Sequence, residues 1–253
     1  MGNMIYDFDK DIGRRGTDAK KYNPQLCPED VLPFWVADSD FQSPIEVTEA
    51  LRNRVEVNHY GYPFFDDKFE ESVKRWYWVR HKTKLKEEYI DFSPCVIPAM
   101  IWFAKEFSNV GDKIVLQTPV YPPFYDLVRD NGRQIVHNEL EIIGNRYEIN
   151  FDDLEQKLSD SRTKILFICN PQNPTGRCFT KEELSRMGEL CLKHRVLIGV
   201  DETHSDIVLD GREFVPFCSV SEELAKHSVT FVNPAKTFNV AGFRTAAWFT
   251  HSK

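Results

Sequence analysis

The sequence predicts an α/β domain in which helices cover both faces of a mostly parallel sheet, preceded by an arm. Three observations carry this expectation. From Ile90 onward, short apolar runs alternate with helical patterns. The run 164–169, Lys-Ile-Leu-Phe-Ile-Cys, is almost continuously apolar, as a parallel strand covered on both sides requires. The polar residues that fit neither pattern, Asn173, Asp201 and Lys236, each follow such a run, at the strand ends where ligands of these sheets bind.

The elements follow in order. Residues 1–35 are polar and turn-rich, with Gly13, Gly16, Pro24, Pro28 and Pro33, which suits an arm lying on another surface. Trp35-Val36-Ala37-Asp38-Ser39-Asp40-Phe41 then gathers aromatics and carboxylates ahead of Ser43-Pro44, read as a cap and first helical position for a helix over 45–55. His59-Tyr60-Gly61-Tyr62-Pro63 is an aromatic turn. A helix over 68–82 places Phe69, Val73, Trp76 and Tyr77 on one apolar stripe. A short strand over 89–92 leads through Ser93-Pro94-Cys95-Val96-Ile97-Pro98 into a helix over 99–107. Next come a strand over 113–117, a helix over 124–130 closed by Asn131-Gly132 in a left-handed cap, a strand over 134–140 and a short helix over 152–158.

After the strand 164–169, Thr180-Lys181-Glu182-Glu183 has the spacing of a capping box, and Leu184, Met187, Leu190 and Cys191 form the buried stripe of its helix. Strands over 196–200, 229–232 and 245–250 complete the pattern. Lys236 stands just past the run 229–232, among Ala, Phe and Pro. A strongly hydrated amine placed there is a candidate for nucleophilic chemistry.

The 253 residues are 42% hydrophobic with a net charge of −7, and no block of Lys or Arg recommends nucleic acid or an anionic membrane as partner. Six scattered cysteines without a C-x-x-C pair suit a reducing cytoplasmic compartment. Met-Gly-Asn-Met, followed by Asp7, Asp9 and Asp11, lacks the basic and apolar regions of a secretory leader. No run approaches the ~18 apolar residues of a membrane span.

Three motifs in one order, Asn-Pro-Gln-Asn-Pro-Thr-Gly at 170–176, Asp-Glu-Thr-His at 201–204 and Lys-Thr-Phe-Asn-Val-Ala-Gly at 236–242, resemble the aspartate-aminotransferase-like fold type of pyridoxal phosphate enzymes. The resemblance runs from about Trp35 to Phe249. Trp-Val-Ala-Asp-Ser-Asp-Phe at 35–41 and Tyr-Gly-Tyr-Pro at 60–63 are most similar to the cystathionine β-lyase, or cysteine C–S lyase, subgroup.

The resemblance implies roles. Lys236 would join the cofactor through its amine and later act as the base at the substrate Cα, while Asp201 would keep the pyridine nitrogen protonated. Asn173 would donate to the ring oxygen, His204 would reach that oxygen or Asp201, and Tyr121 would lie over the ring. Backbone N–H groups of Val96 and Ile97, with Arg244, would hold the phosphate. Tyr62 would reach the phosphate of a second copy in a homodimer with a shared site, and Ala37, Asp38, Asn173 and Tyr60 would line the space for a small amino-acid substrate. Residues 1–44 would be the arm and start of a small domain. Residues 45–253 would be an incomplete cofactor-binding large domain, because relatives continue into a carboxyl-terminal small domain.

Cys95 stands where the family usually has Gly, and Asn233 and Ala235 stand where serines are frequent. The expected activity is β-elimination from a sulfur amino acid, giving pyruvate, ammonia and a thiol. Transamination, or a non-catalytic regulatory use of the fold, is the alternative.

Overall fold

The computed structural model describes residues 6–64, 66–85, 89–209 and 211–252. The Met-Gly-Asn-Met opening lies outside them. Among the described residues, no helix is long and apolar enough to cross a membrane. The chain forms two compact units, Met1–Phe64 with Pro234–Phe243, and Phe65–Asn233 with Arg244–Lys253.

The larger unit holds one eight-stranded sheet in the order β1-β8-β7-β6-β5-β2-β3-β4. Its strands are β1 (Ile90–Ser93), β2 (Lys113–Thr118), β3 (Gln134–Ile143), β4 (Arg146–Ile149), β5 (Thr163–Cys169), β6 (Leu197–Asp201), β7 (Ser228–Val232) and β8 (Ala246–Thr250). The five strands from β7 to β3 in this order pair in parallel. Antiparallel β8 and β1 flank them on one side and antiparallel β4 on the other. Two reversals bring β1 back to the direction of β7, so β1, β2, β5, β6 and β7 end at one edge and β8 begins there. Strand order reverses between β2 and β5, the position at which ligands of such sheets bind.

Strand periodicity sorts the core. Ile114, Leu116, Ile165, Phe167 and Phe231 pack beneath α3 (Val96–Phe107) and α4 (Pro123–Arg129). On the opposite face Val115, Leu166, Ile168, Ile198 and Val200 pack beneath α5 (Phe151–Leu158) and α6 (Lys181–His194). Gly199 faces α3, where an added Cβ would lie 2.5 Å from the Phe167 ring, so the glycine makes room for aromatics. A third cluster joins Tyr77 of α2 (Lys68–His81) to Ile90, Ala247 and Phe249 at the β1–β8 side.

The expected capping box is present: Thr180 Oγ1 accepts from Glu183 N at 3.2 Å and Glu183 Oε2 accepts from Thr180 N at 2.8 Å. Gly132, at φ 77°, makes the left-handed turn that closes α4. Three expectations are corrected. The helix expected from Ala99 begins at Val96, because Pro98 falls in its first turn, where an N–H has no helical partner to lose. Pro44, rather than Ser43, takes the cap position of the first helix, its carbonyl accepting from Val47 N at 3.1 Å. The hairpin strand β4 and the five-residue helix α7 (Glu222–Lys226) were absent from the sequence expectation, being too short to show a period.

In the smaller unit, α1 (Ile45–Val57) buries none of its residues, and the arm is held by charge instead. Arg14 donates to Asp38 at 2.7 Å and Asp40 at 2.7 Å, Lys21 donates to Asp40 at 2.7 Å, and Tyr22 donates to Asp40 at 3.1 Å. Burial pushes the Asp40 carboxyl up, but these donors outweigh it and hold it below its ordinary range.

Candidate functional site

In the larger unit the expected residues sit where parallel strands end. Asp201 is the last residue of β6 and is 7% exposed. Its backbone continues the sheet, its carbonyl accepting from Asn170 N at 2.9 Å, and its Oδ1 accepts from Thr203 N at 2.9 Å, so the carboxylate is fixed by its own turn. Tyr121 follows β2 and stands near enough to Asp201 that burial first, and the carboxylate second, push its phenol up. Asn173 and His204, both half-buried, follow β5 and β6.

Cys95 follows β1 and caps α3 with no side-chain hydrogen bond, which leaves the first N–H groups, those of Val96 and Ile97, for an external acceptor. Register brings Arg244 to them. Ser93 pairs with Ala246, and Arg244 Nη1 lies 3.8 Å from Cys95 Sγ. A helix start beside a guanidinium is a phosphate-binding chemistry. Cys95 has φ −161°, extended backbone open to any residue, so the glycine usual in the resembling family is not required by conformation.

In the smaller unit, Lys236 lies in the turn 234–243 and its Nζ donates to the Ala37 carbonyl at 2.7 Å. Asn239 holds this turn. At φ 56° it donates to Ser39 O and Phe41 O at 3.2 and 3.1 Å, accepts from Ser39 N at 3.1 Å, and its carbonyl accepts from Ser43 Oγ at 3.1 Å. Asp38, expected to face substrate, spends both carboxylate oxygens on Arg14. Tyr60 and Tyr62 are exposed, Tyr62 completely.

Two groups escaped the sequence expectation. Asn239 enters the sequence reading only as one letter of a motif, although Asn is, after Gly, among the residues that most readily take a left-handed turn. Glu202, 1% exposed, accepts from Tyr77 Oη at 2.6 Å and Phe217 N at 2.7 Å. Burial raises its carboxyl to about 7 against the lowering effect of these two donors.

An apolar groove of about 530 Å³ lined by Ala99, Trp102, Phe103, Val229 and Trp248 lies at the opposite edge, where parallel strands begin. Its walls are chiefly aromatic and aliphatic, in contrast to the polar groups that converge at the β6 edge.

The model of the aminotransferase class I and II family matches residues 29–253. The chain belongs to that family. It is 43% identical over 244 residues to cystathionine beta-lyase PatB of Bacillus subtilis, covering 95% of this chain and 63% of the relative. To Escherichia coli protein MalY it is 30% identical over 92% of this chain and 62% of the relative. Cystalysin from Treponema denticola, a structure containing pyridoxal 5'-phosphate, superposes with a TM-score of 0.92 at 33% identity, over 98% of this chain and 64% of that one. The chain thus spans less than two thirds of the length of these relatives.

Proposed function

We propose that this chain is the cofactor-holding part of a pyridoxal-phosphate lyase that eliminates the β-sulfur substituent of an amino acid, giving pyruvate, ammonia and a thiol. The observation that carries this reading is the β6 edge: a buried carboxylate at Asp201, an aromatic ring at Tyr121, and the start of α3 beside Arg244. This donor set fits the cofactor, with a carboxylate for a pyridinium, a flat face for a ring and N–H groups with a guanidinium for a phosphate. Similarity to the cystathionine beta-lyase PatB favours elimination over transamination.

When bound, the cofactor supplies an electron sink for the charge left on Cα. The residues then divide the work. Val96 and Ile97 N–H groups and Arg244 anchor the phosphate, and Tyr121 fixes the tilt of the ring. Asp201 holds a proton on the ring nitrogen, and Asn173 and His204 orient the ring oxygen. Lys236 Nζ, released from the Ala37 carbonyl, takes the Cα proton and returns one to the departing sulfur. Ala37 and Asp38 carry backbone toward the substrate, Asp38 through the arm that its ion pair with Arg14 secures. The exposed Tyr60 and Tyr62 are assigned to the site of a second copy in a homodimer. Six unpaired cysteines support a cytoplasmic setting.

The test is incubation with pyridoxal phosphate, borohydride reduction and peptide mass spectrometry. Label confined to Lys236, and absent from Lys236→Ala, is expected; scattered label on folded protein refutes the site. In the full-length protein, pyruvate released from cystathionine without a 2-oxo acid acceptor separates elimination from obligatory transamination.

A further inference from the structure

The loop that follows β6 starts from Asp201, the last residue of the strand, and carries His204. Its internal bonds are short-range: Thr203 N to Asp201 Oδ1, Ser205 N to Glu202 O and Ile207 N to His204 O, at 2.9, 3.0 and 3.0 Å. From outside, Glu202 N donates to Phe231 O at 2.9 Å, Phe217 N to Glu202 Oε1 at 2.7 Å and Asn233 Nδ2 to Thr203 Oγ1 at 3.3 Å, and α2 adds side-chain contacts at two points. Tyr77 Oη donates to Glu202 at 2.6 Å at one end of the loop, and Trp76 Nε1 donates to Asp206 Oδ2 at 2.9 Å at the other. One turn further along α2, His81 Nε2 stands 3.1 Å and Arg80 Nε 3.7 Å from Asp206 Oδ1.

These groups share one helical face, since 76 and 77 lie one turn from 80 and 81. The face is rigid. The Tyr77 ring packs edge-on against Phe249 and against His81, and the His81 ring packs against Phe214, with centroids 5.0–5.3 Å apart. Both carboxylates are nearly out of water, Glu202 at 1% exposure and the Asp206 side chain at 7%. Buried carboxylates with several donors are costly to misplace, so each contact sets position and not merely attraction.

We propose that Glu202 and Asp206 are positioning residues, which α2 grips through Tyr77 and Trp76 so that Asp201, just before Glu202, and His204, between the two, are preset for the cofactor. The proposal rests on the pyridoxal phosphate reading above for its purpose, while its mechanical part stands on the geometry of the larger unit alone. A loop fixed before the ligand arrives costs less ordering on binding.

The test uses Tyr77→Phe, which removes one hydroxyl and keeps the packed ring, and Asp206→Asn, which keeps an acceptor for Trp76 and removes the charge facing His81. Hydrogen exchange of the cofactor-free chain is read by mass spectrometry, alongside the unfolding midpoint and the dissociation constant of pyridoxal phosphate. Expected is at least a tenfold faster exchange at the amides of Thr203, Ser205 and Ile207 with β5 amides unchanged. Roughly tenfold weaker cofactor binding should accompany it, with label still confined to Lys236. Exchange that is unchanged, or that rises equally in β5 and β6, overturns the grip. A faster loop with unaltered cofactor affinity overturns its purpose. Wild-type chain that holds no cofactor at Lys236 refutes the functional reading instead, and the exchange pattern then decides the grip on its own. Should Tyr77→Phe fail to fold, Asp206→Asn tests the other end by the same measurements.

Discussion

Replacing Glu202 with Gln should change how stability depends on pH more than it changes stability at any one pH. The Glu202 carboxyl is raised from an ordinary 4.5 to about 7, chiefly by burial. An acid raised in the folded state favours folding while protonated. Its contribution is therefore complete below about pH 4.5 and is lost as pH rises through 7. The displacement corresponds to about 3 kcal/mol between pH 4.5 and 8, because each tenfold change in proton affinity is worth about 1.4 kcal/mol. Gln keeps an acceptor for Phe217 N and cannot ionise.

The groups facing Glu202 do not confuse the window. Tyr77 from α2 and Cys218 from the turn Phe217–Ser219 are both pushed up by burial and stay neutral, and Asp201 and Asp206 are common to both proteins. Urea unfolding followed by tryptophan fluorescence at pH 5, 6, 7 and 8 should show wild type losing about 3 kcal/mol relative to Glu202→Gln. That difference amounts to about 6–12 °C in melting temperature for a chain this long. Parallel pH curves for the two proteins would refute the assignment of a buried, nearly neutral carboxyl at this position.

Three other outcomes are expected. Thr180→Ala removes an acceptor from the α6 capping box and should lower stability by about 1 kcal/mol, read as a 2–4 °C fall in melting temperature. Gly199→Ala puts a Cβ 2.5 Å from the Phe167 ring and should destabilise by about 1–3 kcal/mol, measured by urea titration, because Phe103 closes the other side. Asn239→Ala deletes three side-chain hydrogen bonds and the left-handed preference at φ 56°, so limited proteolysis should cut residues 6–41 roughly tenfold faster while cleavage elsewhere is unchanged.

The parts of the fold that were legible in sequence are those where one physical requirement dominates. Continuous apolar runs such as β5 need cover on both faces, and Thr180 with Glu183 has no common purpose but a cap. Asp201 was legible because an acid at the end of an apolar run is expensive without a partner. Other features needed coordinates. β4 has four residues and, among the described residues, pairs with β3 alone, so its identity comes from its neighbour. The Asp38 carboxylate is held at both oxygens by Arg14, 24 residues earlier, a pairing no local pattern reveals. Tyr77 read correctly as a core residue, but its hydroxyl's partner lies 125 residues away, beyond any local pattern.

Asp201 and Glu202 show why adjacent identical charges need not share a fate. Side chains along a strand alternate, so Asp201 takes the side of Gly199 while Glu202 takes that of Ile198 and Val200. Had both faced one way, two carboxylates would have competed for the same donors. Split by the sheet, one meets the edge where Tyr121 and the start of α3 gather, and the other meets Tyr77 and Phe217 in a dry cluster. The Asp201 charge itself helps push Glu202 up, after burial. Below about pH 7, a protonated Glu202 adds no repulsion at Asp201, so the proposed partner of a pyridinium keeps its charge while its neighbour serves as an anchor. An acidic pair written side by side in sequence thus becomes one binding group and one fastening, separated by nothing more than the period of a strand.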